Sequence, residues 1–228
     1  TLETKHPFLQ VFRGVTVALS AAFFTIGLSF APLADAVAIT FIAPIIVTIL
    51  SAYLLGERVG KRRWAAVIMG FFGVIMITQP SFDDFNPGLL FPFLAALFFA
   101  IRQIISRRVS HKDNVQTTVA YTALTSFVLL SMCLPFFWVE VPSELDAITL
   151  LSLSAFSAIG EIFIVYALSI GLAVVVTPIH YTIIVWALLY GYFFFEDVPS
   201  SSMMFGTIVV MLCGIYIARR EHRLSLKI

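Results

Sequence analysis

Long apolar stretches dominate this sequence of 228 residues. A bilayer core about 30 Å thick requires roughly 20 apolar residues in a helix, and stretches of that length follow one another along the chain. The mean hydropathy is +1.00 and only 12% of the residues are charged, which excludes a water-soluble domain. The stretches are about twice as long as membrane β-strands and apolar on every side, so they predict helices. Eight are expected, at approximately 14–32, 36–55, 64–82, 86–106, 115–139, 148–170, 175–195 and 198–218.

The charges between these stretches alternate in sign along the chain. Lys and Arg favour the cytoplasmic side of a membrane. One set of alternate connectors holds the basic residues Lys5, Arg13, Arg58, Lys61, Arg62, Arg63, Arg107, Arg108, Lys112, Arg219, Arg220, Arg223 and Lys227. The other set holds no Lys or Arg, but it holds the acidic residues Asp35, Asp83, Asp84, Glu140, Glu144, Asp146, Glu196 and Asp197. We expect a multi-pass protein of the bacterial inner membrane with both termini in the cytoplasm.

An internal repeat relates the two halves of the chain. The segment Phe23–Glu57 aligns with Phe163–Asp197. Each segment contains two apolar helices and ends at an acidic residue, and a glycine-bearing helix follows each of them. Pairing the first helix with the sixth gives a unit of five helices, and an odd number inverts the second copy in the membrane. The expected architecture is therefore an all-α transmembrane bundle with inverted five-helix repeats. Residues 1–82 would supply the last three helices of the first repeat and residues 83–228 the whole second repeat, with the first two of ten helices preceding Thr1.

Several short motifs extend this pattern over nearly the whole chain. In the first half they are Arg13-Gly14, Pro32-Leu33-Ala34-Asp35-Ala36 followed by Pro44, and Leu55-Gly56-Glu57-Arg58-Val59 before Arg63-Trp64. In the second half they are Pro178-Ile179-His180-Tyr181-Thr182, Val185-Trp186-Ala187, Gly191-Tyr192 and the segment from Gly206 to Glu221. Together they resemble the EamA family of the drug/metabolite transporter superfamily. The resemblance implies two inverted five-helix repeats and a secondary, non-ATP carrier that moves small metabolites or drugs by alternating access.

Two charged residues lie within the apolar stretches. Glu161 is expected near the bilayer midplane, where carboxylates commonly mark ion and substrate paths, and a carboxyl isolated in hydrocarbon would be a protonatable group. Its small-residue surroundings equally allow a packing role. Arg102 lies close enough to Arg107 for its side chain to reach the interface, and it could instead pair with Glu161. Both residues enter the hypothesis of a substrate or ion pathway.

Six further residues complete that hypothesis. Thr40 and Pro44 lie on one helix face, and the proline leaves a carbonyl without its usual donor, as in the broken helices that line transporter cavities; a simple kink is the alternative. His180 favours a hydrogen bond to another helix over metal binding. Trp186 and Tyr190 continue a stripe from Thr182 that is more typical of an interface belt than of a site. Tyr181 joins the set through its place in the motif Pro178–Thr182.

Other classes of function find little support in the sequence. It has no His-Glu-x-x-His or Gly-x-Ser-x-Gly motif and no second intramembrane carboxylate beside Glu161, so an enzyme is not expected. A non-transporting membrane subunit and an intramembrane enzyme are the alternatives to a carrier. No cofactor, metal or nucleic acid is expected, since Cys133 and Cys213 lie in apolar runs and no basic face exists. The expected partners are the lipid bilayer, a small-molecule substrate, a proton, and a second copy in a homodimer.

Overall fold

The computed structural model describes residues 4–31, 33–57, 59–79, 87–110, 113–133, 135, 144–183, 185–186, 189, 192–193 and 201–225. The helices over these residues are α1 (Pro7–Leu28), α2 (Leu33–Thr40), α3 (Ala43–Leu54), α4 (Lys61–Thr78), α5 (Leu90–Ser110), α6 (Val115–Cys133), α7 (Glu144–Ile170), α8 (Ala173–Val176) and α9 (Ser201–Ser225). Two 3₁₀ segments, Pro87–Leu89 and Thr177–Thr182, precede α5 and follow α8.

The membrane class predicted from the apolar stretches is confirmed. Five segments within the described residues are long and apolar enough to cross a bilayer: Pro7–Leu28, Ala36–Leu54, Pro87–Val109, Val115–Cys133 and Asp146–Ile170. Large apolar side chains also cover much of the outer surface, as expected of a surface that faces lipid. The chain is therefore an all-helical, multi-pass membrane protein.

Three of the predicted stretches differ from the helices in the structure: the first begins earlier than predicted, and the second and seventh are interrupted. The first helix begins at Pro7 instead of residue 14, because proline suits the first turn of a helix, where its missing N–H is not needed. The second stretch is divided at Phe41 and Ile42 into α2 and α3. The seventh stretch begins as the short α8 and continues as the 3₁₀ segment Thr177–Thr182, which includes a proline that cannot donate to a helical ladder.

The central helix of the bundle is α5, which contacts α1, α2, α3, α6, α7 and α8. One core cluster lies along it, where Ala100 and Ile104 pack with Val47 of α3 and Leu168 of α7. The ends at which α1 begins and α3, α5 and α7 finish lie together, and we call this the basal end. The charge pattern predicts that the basal end faces the cytoplasm.

A second layer is formed by α4 and α9, which pack closely through glycines. A β-carbon on Gly206 would lie only 2.6 Å from the carbonyl oxygen of Gly73, so the two backbones approach as far as glycine allows. A β-carbon on Gly70 would meet the ring of Tyr181 at 2.6 Å. Gly70 and Gly73 of α4 are therefore both positions of close contact with neighbouring segments.

Candidate functional site

Arg13 is the most deeply buried charged group described in the bundle. Its side chain is 0% exposed, and it extends from α1 toward three other helices. Its Nε donates to Ser106 Oγ of α5 at 2.6 Å, its Nη1 donates to Thr122 Oγ1 of α6, and its Nη2 pairs with Glu161 Oε1 of α7. A guanidinium that leaves water requires hydrogen-bond acceptors for its nitrogen atoms and a negative partner for its charge, and Arg13 has both.

Arg102 of α5 approaches Glu161 from the other side. Its Nη1 lies 2.9 Å from Glu161 Oε2, so each carboxylate oxygen serves a different arginine. The Arg102 guanidinium carbon also lies 4.7 Å from the centroid of the Phe99 ring, in a cation–π contact. Its Nε is buried without a hydrogen-bond partner among the residues that the structure describes.

These three residues form a cluster with unequal charge, which we call the Arg–Glu–Arg cluster. Two guanidinium groups face one carboxylate, and the side chains of Arg13, Arg102 and Glu161 are only 0%, 11% and 18% exposed. They lie six to nine residues from the ends of their helices, or about 9–13 Å from the basal end at 1.5 Å per residue. Within the part of the chain that the structure describes, the cluster therefore carries one positive charge that no carboxylate balances.

An apolar cavity lies farther from the basal end than this cluster. Its volume is about 290 Å³. Its walls come from α1, the junction of α2 and α3, α5 and the 3₁₀ segment, and the lining residues are Ser20, Phe24, Thr40, Phe41, Ala43, Pro44, Ala95, Ala96, Phe99, His180 and Ile183. Three phenyl rings and a few polar groups are typical of a site for a small organic molecule.

Phe99 and His180 connect the cavity with the cluster. Phe99 lines the cavity, and the Arg102 guanidinium lies over its ring. The ring of His180 meets Phe99 edge-on, with centroids 5.1 Å apart, and its Nε2 lies 3.1 Å from Nε2 of Gln103 on α5. The hydrogen bond from His180 to another helix was predicted, and the structure shows it.

The junction of α2 and α3 supplies the opposite wall. Thr40 and Pro44, which the sequence grouped on one helix face, line the same cavity as His180. Thr40 Oγ1 donates to Val37 O at 2.8 Å and Thr48 Oγ1 donates to Pro44 O at 2.7 Å, so the hydroxyls satisfy carbonyls around the interruption. The kink borders the cavity, but neither of these two hydroxyls donates to the Thr40 carbonyl that Pro44 leaves without its usual donor, so the cavity-lining break and the simple kink both stay predictions.

Two aromatic residues of the pathway hypothesis, Tyr181 and Trp186, do not line the cavity. Tyr181 is buried between Gly70 and Phe41 and belongs to the core shared by α4 and α9. Trp186 is 60% exposed and borders an outer groove beside α7, as expected of an interface residue. Tyr190 lies outside the described residues. The structure therefore brings together Thr40, Pro44 and His180 at the cavity, and Arg102 and Glu161 beside it.

A sequence model of one protein family matches nearly all of this chain. The matched residues are 4–79 and 86–220, and the family is described as the EamA-like transporter family. The chain belongs to the EamA-like transporter family. This confirms the resemblance drawn from its motifs, and with it the prediction of a transporter instead of an enzyme.

Curated relatives of this EamA-like protein transport chemically different small molecules. An S-adenosylmethionine uptake transporter of Rickettsia prowazekii is 29% identical over 97% of this chain and 75% of its own length. A riboflavin transporter of Vibrio cholerae is 30% identical over 85% of this chain and 65% of its own length. The pseudopaline exporter CntI of Pseudomonas aeruginosa is 27% identical over 94% of this chain and 76% of its own length.

A solved structure shares the fold of this EamA-like protein. That crystal structure superposes with a TM-score of 0.81 over 98% of this chain and 79% of the other chain, at 20% sequence identity. At this level of identity the similarity establishes the arrangement of helices alone.

Arg13 is the buried charged residue of this EamA-like protein that the sequence interpretation placed wrongly. It was assigned to a cytoplasmic connector because the first apolar stretch was taken to start after it, whereas α1 extends back to Pro7 and carries it into the bundle. A signal existed. Gln10, Arg13 and Ser20 recur at helical spacing, and all three contact neighbouring helices.

The surroundings of Glu161 also differ from the expectation. The sequence predicted a protonatable carboxyl and left open a pairing with Arg102; in the structure Glu161, nine residues before the end of α7, contacts Arg102 and also Arg13, which was not expected. Positive neighbours stabilise a carboxylate in its charged form. The alternative in which Arg102 reaches the interface is wrong, because its side chain pairs with Glu161 inside the bundle.

Another ion pair, between Glu57 and Arg107, lies at the basal end. Glu57, after α3, lies with its Oε1 3.6 Å from Arg107 Nε of α5, and the same oxygen accepts a hydrogen bond from the backbone N–H of Ala173 at 3.0 Å. Arg107 Nη1 donates to the carbonyl of Leu168 on α7 at 2.9 Å. These contacts join α3, α5, α7 and the start of α8.

A polar network fixes the N-terminal segment beside the turn between α5 and α6. Asp113 accepts hydrogen bonds from the Thr4 hydroxyl, from Gln10 Nε2 at 2.9 Å and from the Lys5 backbone N–H at 3.2 Å. Partial burial raises the pKa of Asp113, but the three hydrogen bonds and the positive potential of His6 outweigh that effect, and its pKa lies below the ordinary aspartate value.

Proposed function

We propose that this EamA-like transporter is a secondary carrier that moves a small metabolite containing a flat ring by alternating access. The observation that carries the proposal is the apolar cavity between Phe24, Phe41 and Phe99, at the junction where α2 and α3 are interrupted. Interrupted helices near a cavity are a recurring feature of substrate sites in secondary transporters.

The size and lining of the cavity support a ring-shaped ligand. A volume of about 290 Å³ is close to the lower limit of small-molecule sites, roughly 300 Å³. Phenyl rings offer stacking and edge contacts to a flat aromatic system, and Ser20, Thr40 and His180 offer polar contacts at its rim. S-adenosylmethionine and riboflavin, the molecules named for two relatives, both contain fused aromatic rings and are the first candidates.

The membrane arrangement of the carrier is part of the proposal. We infer eight spans, with α4, the segment that starts at α8, and α9 crossing in addition to the five apolar spans, and with both termini in the cytoplasm of a bacterial cell. The proposed boundary between inverted repeats, after residue 82, falls between the two stretches matched by the family model, 4–79 and 86–220. Most of the external connectors, including Asp83, Asp84 and Glu140, lie outside the described residues.

Uptake into proteoliposomes tests the function. Purified protein would be reconstituted and supplied with labelled S-adenosylmethionine or with riboflavin, whose fluorescence reports uptake directly. We expect saturable uptake of at least one of them and a loss of at least tenfold in the Phe99→Ala variant, since an aromatic contact and its buried area are removed. Phe127→Ala is the matched control, because Phe127 is exposed on the outer face of α6. Equal rates for both variants would contradict the proposed cavity.

The proton and the homodimer are predictions that the same preparation can test. Proton binding at Glu161 would have to break its contacts with Arg13 and Arg102. A pH gradient imposed across the vesicles should change the uptake rate if protons are coupled to transport, and the rate should follow the sign of the gradient. The mass of the protein in detergent, measured by light scattering, distinguishes a dimer from a monomer.

A further inference from the structure

The surplus charge of the Arg–Glu–Arg cluster lacks a counter-ion among the described residues. Arg13 and Arg102 carry two positive charges, and among the described residues Glu161 is the only carboxylate that pairs with them. An uncompensated charge in a low-dielectric interior is costly, so buried charges in proteins are normally paired. An anion beside the cluster would restore balance.

The side chains of Arg13 and Arg102 differ in how many of their nitrogen atoms form hydrogen bonds. Arg13 uses all three of its nitrogen atoms, on Ser106, Thr122 and Glu161, and it is fully buried. Arg102 makes a single hydrogen bond, from Nη1 to Glu161, and its buried Nε has no partner in the part of the chain that the structure describes. Arg13 is thus committed to holding the helices together, whereas Arg102 retains donors for a ligand.

Arg102 is also the arginine adjacent to the cavity. Its guanidinium rests on the Phe99 ring, and Phe99 also lines the cavity, so the cation and a molecule in the cavity would contact the same residue. If Arg102 turned from Glu161 toward the cavity, Glu161 would still be paired through its other oxygen with Arg13. The exchange would leave no carboxylate unpaired, and the incoming anion would bring the charge of the site to zero.

We propose that Arg102 binds an anionic group of the transported molecule, a carboxylate or a phosphate, while the ring of that molecule occupies the cavity. This inference rests on the proposed function, since it assumes that the cavity is the substrate site. Guanidinium suits the role because its planar donors match the two oxygens of a carboxylate. Arg13 holds Glu161 in place throughout, and Phe99 borders both the ring site and the anion site.

Binding of a small aromatic acid and its neutral analogue tests the anion site directly. Benzoate and benzamide have the same ring and nearly the same shape, and only benzoate is charged. Affinity would be measured by thermal stabilisation of the protein in nanodiscs of phosphatidylcholine, which has no net charge. We expect the wild type to bind benzoate about tenfold or more tightly than benzamide, as a charge-assisted hydrogen bond provides.

Variants of Arg102 then test whether this residue causes the preference for benzoate over benzamide. Arg102→Gln should reduce the ratio of the two affinities to about twofold or less, and Arg102→Lys should restore part of it. Arg108→Gln is the matched control on the same helix, where the side chain is exposed, and it should keep the full ratio. Equal affinity for the two probes in the wild type, or an unchanged ratio in Arg102→Gln, would overturn the proposal.

The source of the anion and the proposed function can be separated in the same assays. Loss of the benzoate preference when phosphatidylglycerol is added would identify a lipid phosphate as the occupant and would overturn binding of a substrate anion. Failure of S-adenosylmethionine and riboflavin uptake, with the benzoate preference intact, would refute the ring carrier and support the anion site. Phe99→Ala should lower the affinities for both benzoate and benzamide but keep the ratio between them. Loss of that ratio would count against an anion site separate from the ring site.

Discussion

Replacement of Glu161 by glutamine should strongly destabilise the bundle. Glu161 accepts a hydrogen bond from Arg13 with one oxygen and from Arg102 with the other. Each charge-assisted hydrogen bond contributes about 1.5–3 kcal/mol, and glutamine can accept only weaker bonds through its one remaining oxygen. Two buried guanidinium groups would then face each other without a carboxylate. We expect a loss of about 3–5 kcal/mol, the range found when one partner of a buried ion pair is removed.

The comparison with Arg102→Gln makes this prediction specific to charge. Arg102→Gln leaves Arg13 and Glu161 as a balanced pair, so it should cost only about 1 kcal/mol or less, because lost attraction is offset by relief of repulsion between two cations. Equilibrium unfolding in mixed micelles of dodecyl sulfate would measure both variants, with Arg108→Gln, at an exposed position of α5, as the control. The reasoning fails if Glu161→Gln lies within about 0.5 kcal/mol of the wild type, or if Arg102→Gln is the more damaging change.

Three further predictions concern other parts of the fold. Gly206→Ala should cost about 2 kcal/mol or more in the same unfolding assay, because its β-carbon would meet a carbonyl oxygen of α4, whereas Gly160→Ala, with nothing within 4 Å of its added carbon, should be neutral or stabilising. The Asp113 pKa is lowered by folding, so its contribution is complete above the ordinary aspartate value of about 4 and disappears as the pH falls below it. The hydrogen-exchange protection of the N-terminal segment, corrected for the intrinsic pH dependence of exchange, should therefore fall in acid, and Asp113→Asn should lower it at neutral pH; unchanged protection would refute the role of this carboxylate. A single cysteine at Asp84, in a background without native cysteines, should react with an impermeant reagent outside intact cells, and one at Lys61 should not; the opposite result would reverse the topology.

The membrane fold could be predicted from the sequence because it depends on length and polarity alone. A stretch such as 148–170 is apolar for long enough to span a bilayer, and no tertiary contact can change that requirement. The interruptions were harder to predict. Pro44 indicated a break between α2 and α3, whereas the 3₁₀ segment Thr177–Thr182 lies inside a long apolar stretch, and a proline near its start is compatible with either kind of helix.

The candidate site could be predicted only in part, because it depends on how helices rotate toward one another. Glu161 and Arg102 were found as charges in apolar stretches, yet they are separated by 59 positions and their contact depends on the rotation of two helices. Arg13 was missed because a charge near the end of an apolar stretch is usually a loop residue. Its position one to two turns inside α1 follows from where that helix begins.

The long separation between Arg13 and Glu161 has a consequence for biogenesis. The acid lies 148 positions after the arginine in the chain. At roughly 5–20 residues per second, a ribosome needs about 7–30 seconds to synthesise that interval. Throughout it, α1 holds a cation that opposes insertion by roughly 2.5–3.5 kcal/mol at the centre of a helix. Until α7 arrives, α1 therefore carries an arginine without its ion-pair partner, and a nascent chain that stops earlier keeps that charge without a carboxylate.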